Sequence, residues 1–168
     1  MKRDVLHSDL VITLERFAEL LGRVALYEAV LDQSAIENRQ SKIERAREQL
    51  IAAVDGLRRA GTMDHLPRGL LSRAWLRFLE GDPSTGSTSS PQAGSGQALD
   101  GVRADLDEAW EIAERGPMRL HMADIHLYRA RLFHDKESPA KAAQLIKQCG
   151  YWRRKEELAD AEEAAKQW

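Results

Sequence analysis

One internal relation constrains this chain more than any other. Residues 50–79 and 106–135 read as two copies of a helical unit set 56 positions apart, and they agree at eight places. Leu50 meets Leu106, Ala53 meets Ala109, Arg59 meets Arg115 and His65 meets His121. Leu71 meets Leu127, Arg73 meets Arg129, Ala74 meets Ala130 and Leu76 meets Leu132. Ordinary amino-acid usage gives roughly two chance agreements in thirty residues. A unit of this size cannot bury its apolar face alone, so copies must pack on one another. The expected fold is all-α: stacked antiparallel helical hairpins, about seven helices with a C-terminal capping helix, in one domain over residues 1–168.

Composition supports helices. Ala, Leu, Glu and Arg dominate, while Val, Ile, Tyr, Phe and Thr are scarce, which argues against strands. The net charge of −2 argues against a nucleic-acid protein, which needs a strongly basic face. Cys149 is the only cysteine, so no internal disulfide can form. No apolar run reaches the ~18–20 residues of a membrane span, and the N-terminus carries no secretory pattern. The expected compartment is the cytoplasm.

Helical periodicity marks the elements. A first helix spans about residues 8–32, with Ser8-Asp9 as cap and Leu10, Leu14, Phe17, Leu21, Val24 and Ala25 inward. Residues 33–41 read as a polar connector. A second helix covers Ser41 to Ala60, with Ile43, Ala46, Leu50, Val54 and Leu57 inward and Gly61 as its stop. A third begins near His65, with Pro67 in its first turn, and ends at Gly81. Residues 83–98, rich in Ser and Gly, read as a flexible solvent-facing insertion. Further helices are expected at about 99–115, 118–134, 138–150 and 155–167. Removing the 16 inserted residues leaves a period of 40, and Ala46/Leu50/Ala53, Val102/Leu106/Ala109 and Ala142/Ile146/Cys149 then share one small–large–small pattern.

At Ala74, Gly81-Asp82, Val102, Leu106 and Ala109, and again at Ala130, Ala142, Ile146 and Cys149, the chain resembles the tetratricopeptide repeat family, in a degenerate bacterial form. The resemblance covers roughly residues 40–150. It implies that Ala74 and Ala130 allow close approach of the paired helix, and that Ala109 and Cys149 are small buried seating residues. It also implies that the first helix of each pair lines a concave groove. Arg68, Leu71, Trp75 and Phe78 from one copy and Leu127, Arg131 and His134 from the other would point into it. Arg and Trp often dominate binding energy, and such a groove suits a peptide with acidic and apolar side chains. Leu71 and Trp75 stand where chaperone-binding members of the family look like a carboxylate clamp of Lys and Asn, so that specificity is not expected.

Catalytic chemistry has little support in the residues. No phosphate loop ends in Gly-Lys-Ser/Thr. His121, Asp124 and His126 form the densest metal-like set, but His126 points away from His121 on a helix, and a recurring His reads better as a structural contact. The expectation is a non-enzymatic module without cofactor or metal, binding a protein or peptide and neither nucleic acid nor membrane. The alternatives are a self-assembling module and the regulatory tail of a bacterial signalling ATPase.

Overall fold

A computed structural model describes residues 14, 16, 18–26, 36–81 and 95–168. The Ser8-Asp9 cap, the residues around 30 and most of the Ser/Gly insertion lie outside the described residues. Every regular element among them is helical. These are α1 (residues 18–26), α2 (Ile36–Ala60), α3 (Leu66–Gly81), α4 (Ser95–Arg115), α5 (Arg119–Phe133), α6 (Ser138–Cys149), a 3-10 turn (Trp152–Arg154) and α7 (Lys155–Ala165). No helix among the described residues is long and apolar enough to cross a membrane. The chain forms two compact units, Met1–Asp105 and Leu106–Trp168.

Two helix starts differ from the sequence reading. α2 begins at Ile36, so much of the expected 33–41 connector is helical. α4 begins at Ser95, inside the expected insertion. In both cases the helix extends past its apolar stretch, and polar residues such as Gln and Arg are good helix formers. Two helix ends are written plainly in the sequence. After α2, Gly61 N–H donates to Arg58 O (3.1 Å) and Thr62 N–H to Leu57 O (3.3 Å). After α6, Gly150 N–H donates to Lys147 O (3.4 Å) and Tyr151 N–H to Ile146 O (2.9 Å). Each is a Schellman turn around a glycine in the left-handed region, at φ +70° for Gly61 and +65° for Gly150.

In the first unit α2 and α3 are antiparallel. Arg47 in the middle of α2 pairs with Glu80 near the end of α3 at 2.7 Å. At the other end Gly69 lies against Val54 and Leu57. α3 and the first part of α4 are also antiparallel, joined by Arg73–Asp105 at 2.7 Å and by Arg77 donating to Gly101 O at 2.9 Å. α1 packs on both α2 and α3: Gly22 faces Leu50, and buried Glu19 accepts a 2.6 Å hydrogen bond from Ser72. The core joins Ala25 and Leu26 to Ile43, Ala46, Leu50, Leu76 and Leu79. Leu14 and Val24, expected inward, are exposed (58 % and 45 %), because α1 packs through the smaller Gly22 and Ala25. A Cβ on Gly22 would lie 2.6 Å from Leu50 Cγ and 2.9 Å from its Cδ2. Leu50 is fully buried and has nowhere to swing. Gly22→Ala is therefore expected to lower stability by about 1–3 kcal/mol in urea denaturation, the usual cost of overpacking; an unchanged midpoint would contradict this contact.

In the second unit α5 and α6 form a hairpin, and α7 runs beside α5 in the same direction. The direction follows from two ion pairs at nearly equal spacing, Asp124–Arg154 (2.8 Å) and Arg131–Asp160 (2.5 Å). Ala123, Leu127, Ala130, Ala142, Ile146 and Ala161 make the core, with Leu145, Tyr151, Leu158 and Trp168 against it. Ala74 and Ala130 are both fully buried. So are all the second-helix pattern positions in Ala46/Leu50/Ala53, Val102/Leu106/Ala109 and Ala142/Ile146. Cys149 departs from the pattern: it is exposed, not a buried seating residue. It is the last residue of α6, and the Schellman turn brings Tyr151 back onto the core in its place.

Candidate partner-binding surface

Of the seven sequence-selected residues, four fall on α3, two on α5 and one, His134, is the residue that caps α5. On α3, Arg68 is exposed and its Nε lies 3.5 Å from the buried Glu19 carboxylate. Leu71 is buried and presents no side chain to an outside partner. Trp75 is half-buried and packs against the core cluster of the first unit. Phe78 is half-buried as well.

Leu127 and Arg131 share one face of α5 by their i, i+4 spacing, and His134 follows at the left-handed C-cap of the same helix. The chain's own C-terminal segment contacts each of the three, burying Leu127 and leaving Arg131 and His134 exposed. Leu127 is buried in the cluster that contains Ala161. Arg131 Nη2 donates to Asp160 Oδ2 at 2.5 Å. His134 stacks on Trp168, with ring centroids 4.9 Å apart and planes 14° from parallel. The Lys136 ammonium donates to the Trp168 carbonyl. These three residues thus hold the C-terminal segment by an apolar contact and an ion pair to α7 and an aromatic stack beyond its end.

Arg154 anchors the start of that segment. Its Nε and Nη2 donate to the two Asp124 oxygens at 2.8 and 3.1 Å, and its Nη1 donates to Glu157 at 2.8 Å. Burial works to lower the guanidinium pKa, but the hydrogen bond and charge of Asp124, reinforced by Glu157, outweigh it and hold the pKa above its usual range. The pair is bidentate, the geometry that a planar guanidinium and a carboxylate share.

His126, Ser138, Asp135 and Arg129 form a second set of contacts around Trp110 in this unit. His126 is buried, meets Trp110 edge to face at 5.1 Å and has Nδ1 3.3 Å from the Ser138 hydroxyl. Ser138 in turn donates to Asp135 at 2.8 Å. Arg129 also lies over Trp110, 5.2 Å from the ring centroid, and is 3.0 Å from Asp107. Burial, reinforced by the charges of Arg129 and Lys141 against a weaker opposite pull from Asp135, lowers the His126 pKa to about 4. Of the metal-like set, Asp124 therefore faces Arg154 and His126 faces Trp110 and Ser138. No three His, Cys, Asp or Glu side chains among the described residues are grouped to hold a metal ion.

Sequence reasoning selected Leu127, Arg131 and His134 and missed the segment that lies against them. Trp168, Lys136, Arg154 and Asp160 went unselected. A usable signal was present: a lone Trp just beyond an Ala/Glu-rich helix that lacks other large apolar residues except Leu158. Comparison with protein-family models, with curated proteins and with solved structures finds no match to this chain.

Proposed function

We propose that the chain is a non-enzymatic, tetratricopeptide-like repeat of helical hairpins that binds a segment of a protein partner, with Leu127, Arg131 and His134 as the docking stripe. The observation that carries this reading is how that stripe receives a helix: through Ala161 in the core, Asp160 on Arg131 and Trp168 on His134. The chemistry it accepts is apolar and acidic together, which is the peptide chemistry its side chains imply. The burial of Ala74 and Ala130 at repeat-matched positions supports the hairpin repeat.

The test is selection of peptides from a displayed random library on the full chain, followed by affinity measurement with Arg131→Glu. Selected peptides should combine acidic and apolar residues, and the charge reversal should weaken them at least about tenfold, or 1.4 kcal/mol. Ligands indifferent to Arg131→Glu would remove the stripe from the binding site. A mass that rises with concentration in light scattering, with no peptide selected, would favour self-assembly instead.

A further inference from the structure

We infer that α7 and Trp168 form an internal latch on this stripe, and that the partner is an acidic amphipathic helix that takes the place of α7. The inference rests on the binding-module reading and adds the class of ligand and the way access is controlled.

The latch is firmly fixed at one end and weakly held along its length. At the fixed end, Arg154 pairs with Asp124 through two hydrogen bonds before α7 begins. Beyond it, α7 has 11 residues and a single buried one, Ala161. Isolated helices this short are marginal in water, so α7 keeps its form mainly through docking. Leu158 and Trp168 are only partly buried where they pack against that core, and the polar attachments lie at the surface. The Arg131–Asp160 pair is exposed on both sides (side chains 48 % and 73 %), and such pairs contribute little. Trp168 is half-buried, and Lys136, which donates to its carbonyl, is exposed. Elements with so little buried apolar surface open at low free-energy cost, while the α5–α6 hairpin beneath them stays folded.

Detachment of α7 would uncover an apolar floor flanked by cations. The floor is Leu127, which shares a core cluster with Ala161, and Arg131 and Lys136 stand beside it with the His134 ring. The partner chemistry can be read from the seated segment. It needs a small residue at the close contact, an acid beside it for Arg131, and an aromatic ring about seven positions further on for His134. Glu156, Glu162 and Glu163 add exposed negative charge to the present occupant. Because Arg154 remains tethered, the latch competes as an intramolecular ligand at high effective concentration. The apparent affinity for an outside helix is then the intrinsic affinity reduced by the fraction of open molecules.

The experiment uses the full chain and a fluorescently labelled synthetic peptide with the sequence of residues 155–168, read by anisotropy. Two variants open the latch: Trp168→Ala, and Asp160→Lys, which alters only an exposed residue. Each should bind the peptide at least about tenfold more tightly than the unmodified chain, and adding Arg131→Glu should abolish the gain. Hydrogen exchange should show residues 155–165 exchanging faster than residues 119–149 in the unmodified chain, and faster still in both variants, with 119–149 unchanged. Equal affinity in the open variants and the unmodified chain overturns the latch, and library-selected ligands that still depend on Arg131 would leave the binding module standing. Loss of protection across 119–149 in both variants also overturns it, since α7 would then be part of the core. If neither open variant binds the peptide while 119–149 stays protected, the latch and the docking stripe both fail.

Discussion

Asp105→Ala should destabilise the first unit by about 3–5 kcal/mol, the usual cost of stranding one member of a buried ion pair. The Asp105 carboxylate is about 1 % exposed. It accepts from Arg73 Nε at 3.2 and 3.1 Å and from Arg73 Nη2 at 2.7 Å, and Arg77 Nη1 lies 3.0 Å from the same group. Removing it leaves the Arg73 guanidinium, itself buried, without its counter-charge. Paired charges in a core are not stabilising in themselves, because desolvation offsets most of their attraction. The double variant Arg73→Met with Asp105→Leu should therefore recover most of the loss, and this separates a stranded charge from lost packing. Urea denaturation followed by circular dichroism would measure both. A loss under about 1 kcal/mol for Asp105→Ala would mean that water reaches Arg73.

Acid should weaken the second unit through His126, by about 3 kcal/mol between pH 7 and pH 4. The folded pKa, about 4, lies below the ordinary value of 6.5. Between those limits the unfolded chain takes up a proton that the folded chain refuses, so stability rises with pH across this window. The contribution is complete above pH 6.5 and is lost as pH falls toward 4. Burial causes most of the shift, and Arg129 on α5 and Lys141 on α6 add repulsion, opposed by Asp135 in the turn. His126→Phe keeps a ring against Trp110 and cannot take up the proton. The difference in denaturation midpoint between pH 7 and pH 4.5 should therefore be clearly smaller in this variant. Equal pH slopes in the two proteins would show that His126 already titrates freely in the folded state.

The parts of the fold that depend on local spacing were readable in the sequence. Gly61 and Gly150 stop their helices because a left-handed turn follows, and glycine adopts it without steric cost. The small–large–small pattern of the second helices became buried surface because residues at these spacings share one face. Parts that depend on distant neighbours were not readable. A helix running past its packed region is written in the same polar residues as a connector, which is why the start of α2 at Ile36 was missed. Charges on a wet face look alike in sequence, so nothing marked Asp105 or Asp124 as buried and paired across 32 and 30 residues. Cys149 fits the repeat pattern, yet the final turn of α6 carries it past the packed region. The spacing of Leu127, Arg131 and His134 is a local pattern that the sequence shows. The segment against them arrives from 34 residues further along, at Trp168 on His134, and no periodicity reports such a meeting.

His134 caps α5 with φ at +52°, a left-handed conformation that glycine would adopt with less strain. For a residue with a Cβ this conformation costs on the order of 1 kcal/mol, and the imidazole–indole stack offsets it. Once the indole departs, the corner between α5 and α6 keeps its torsional strain and loses the compensation. Under the proposed latch, a partner that laid a flat ring on that imidazole would restore the balance, so the joint would reward one shape of visitor over others.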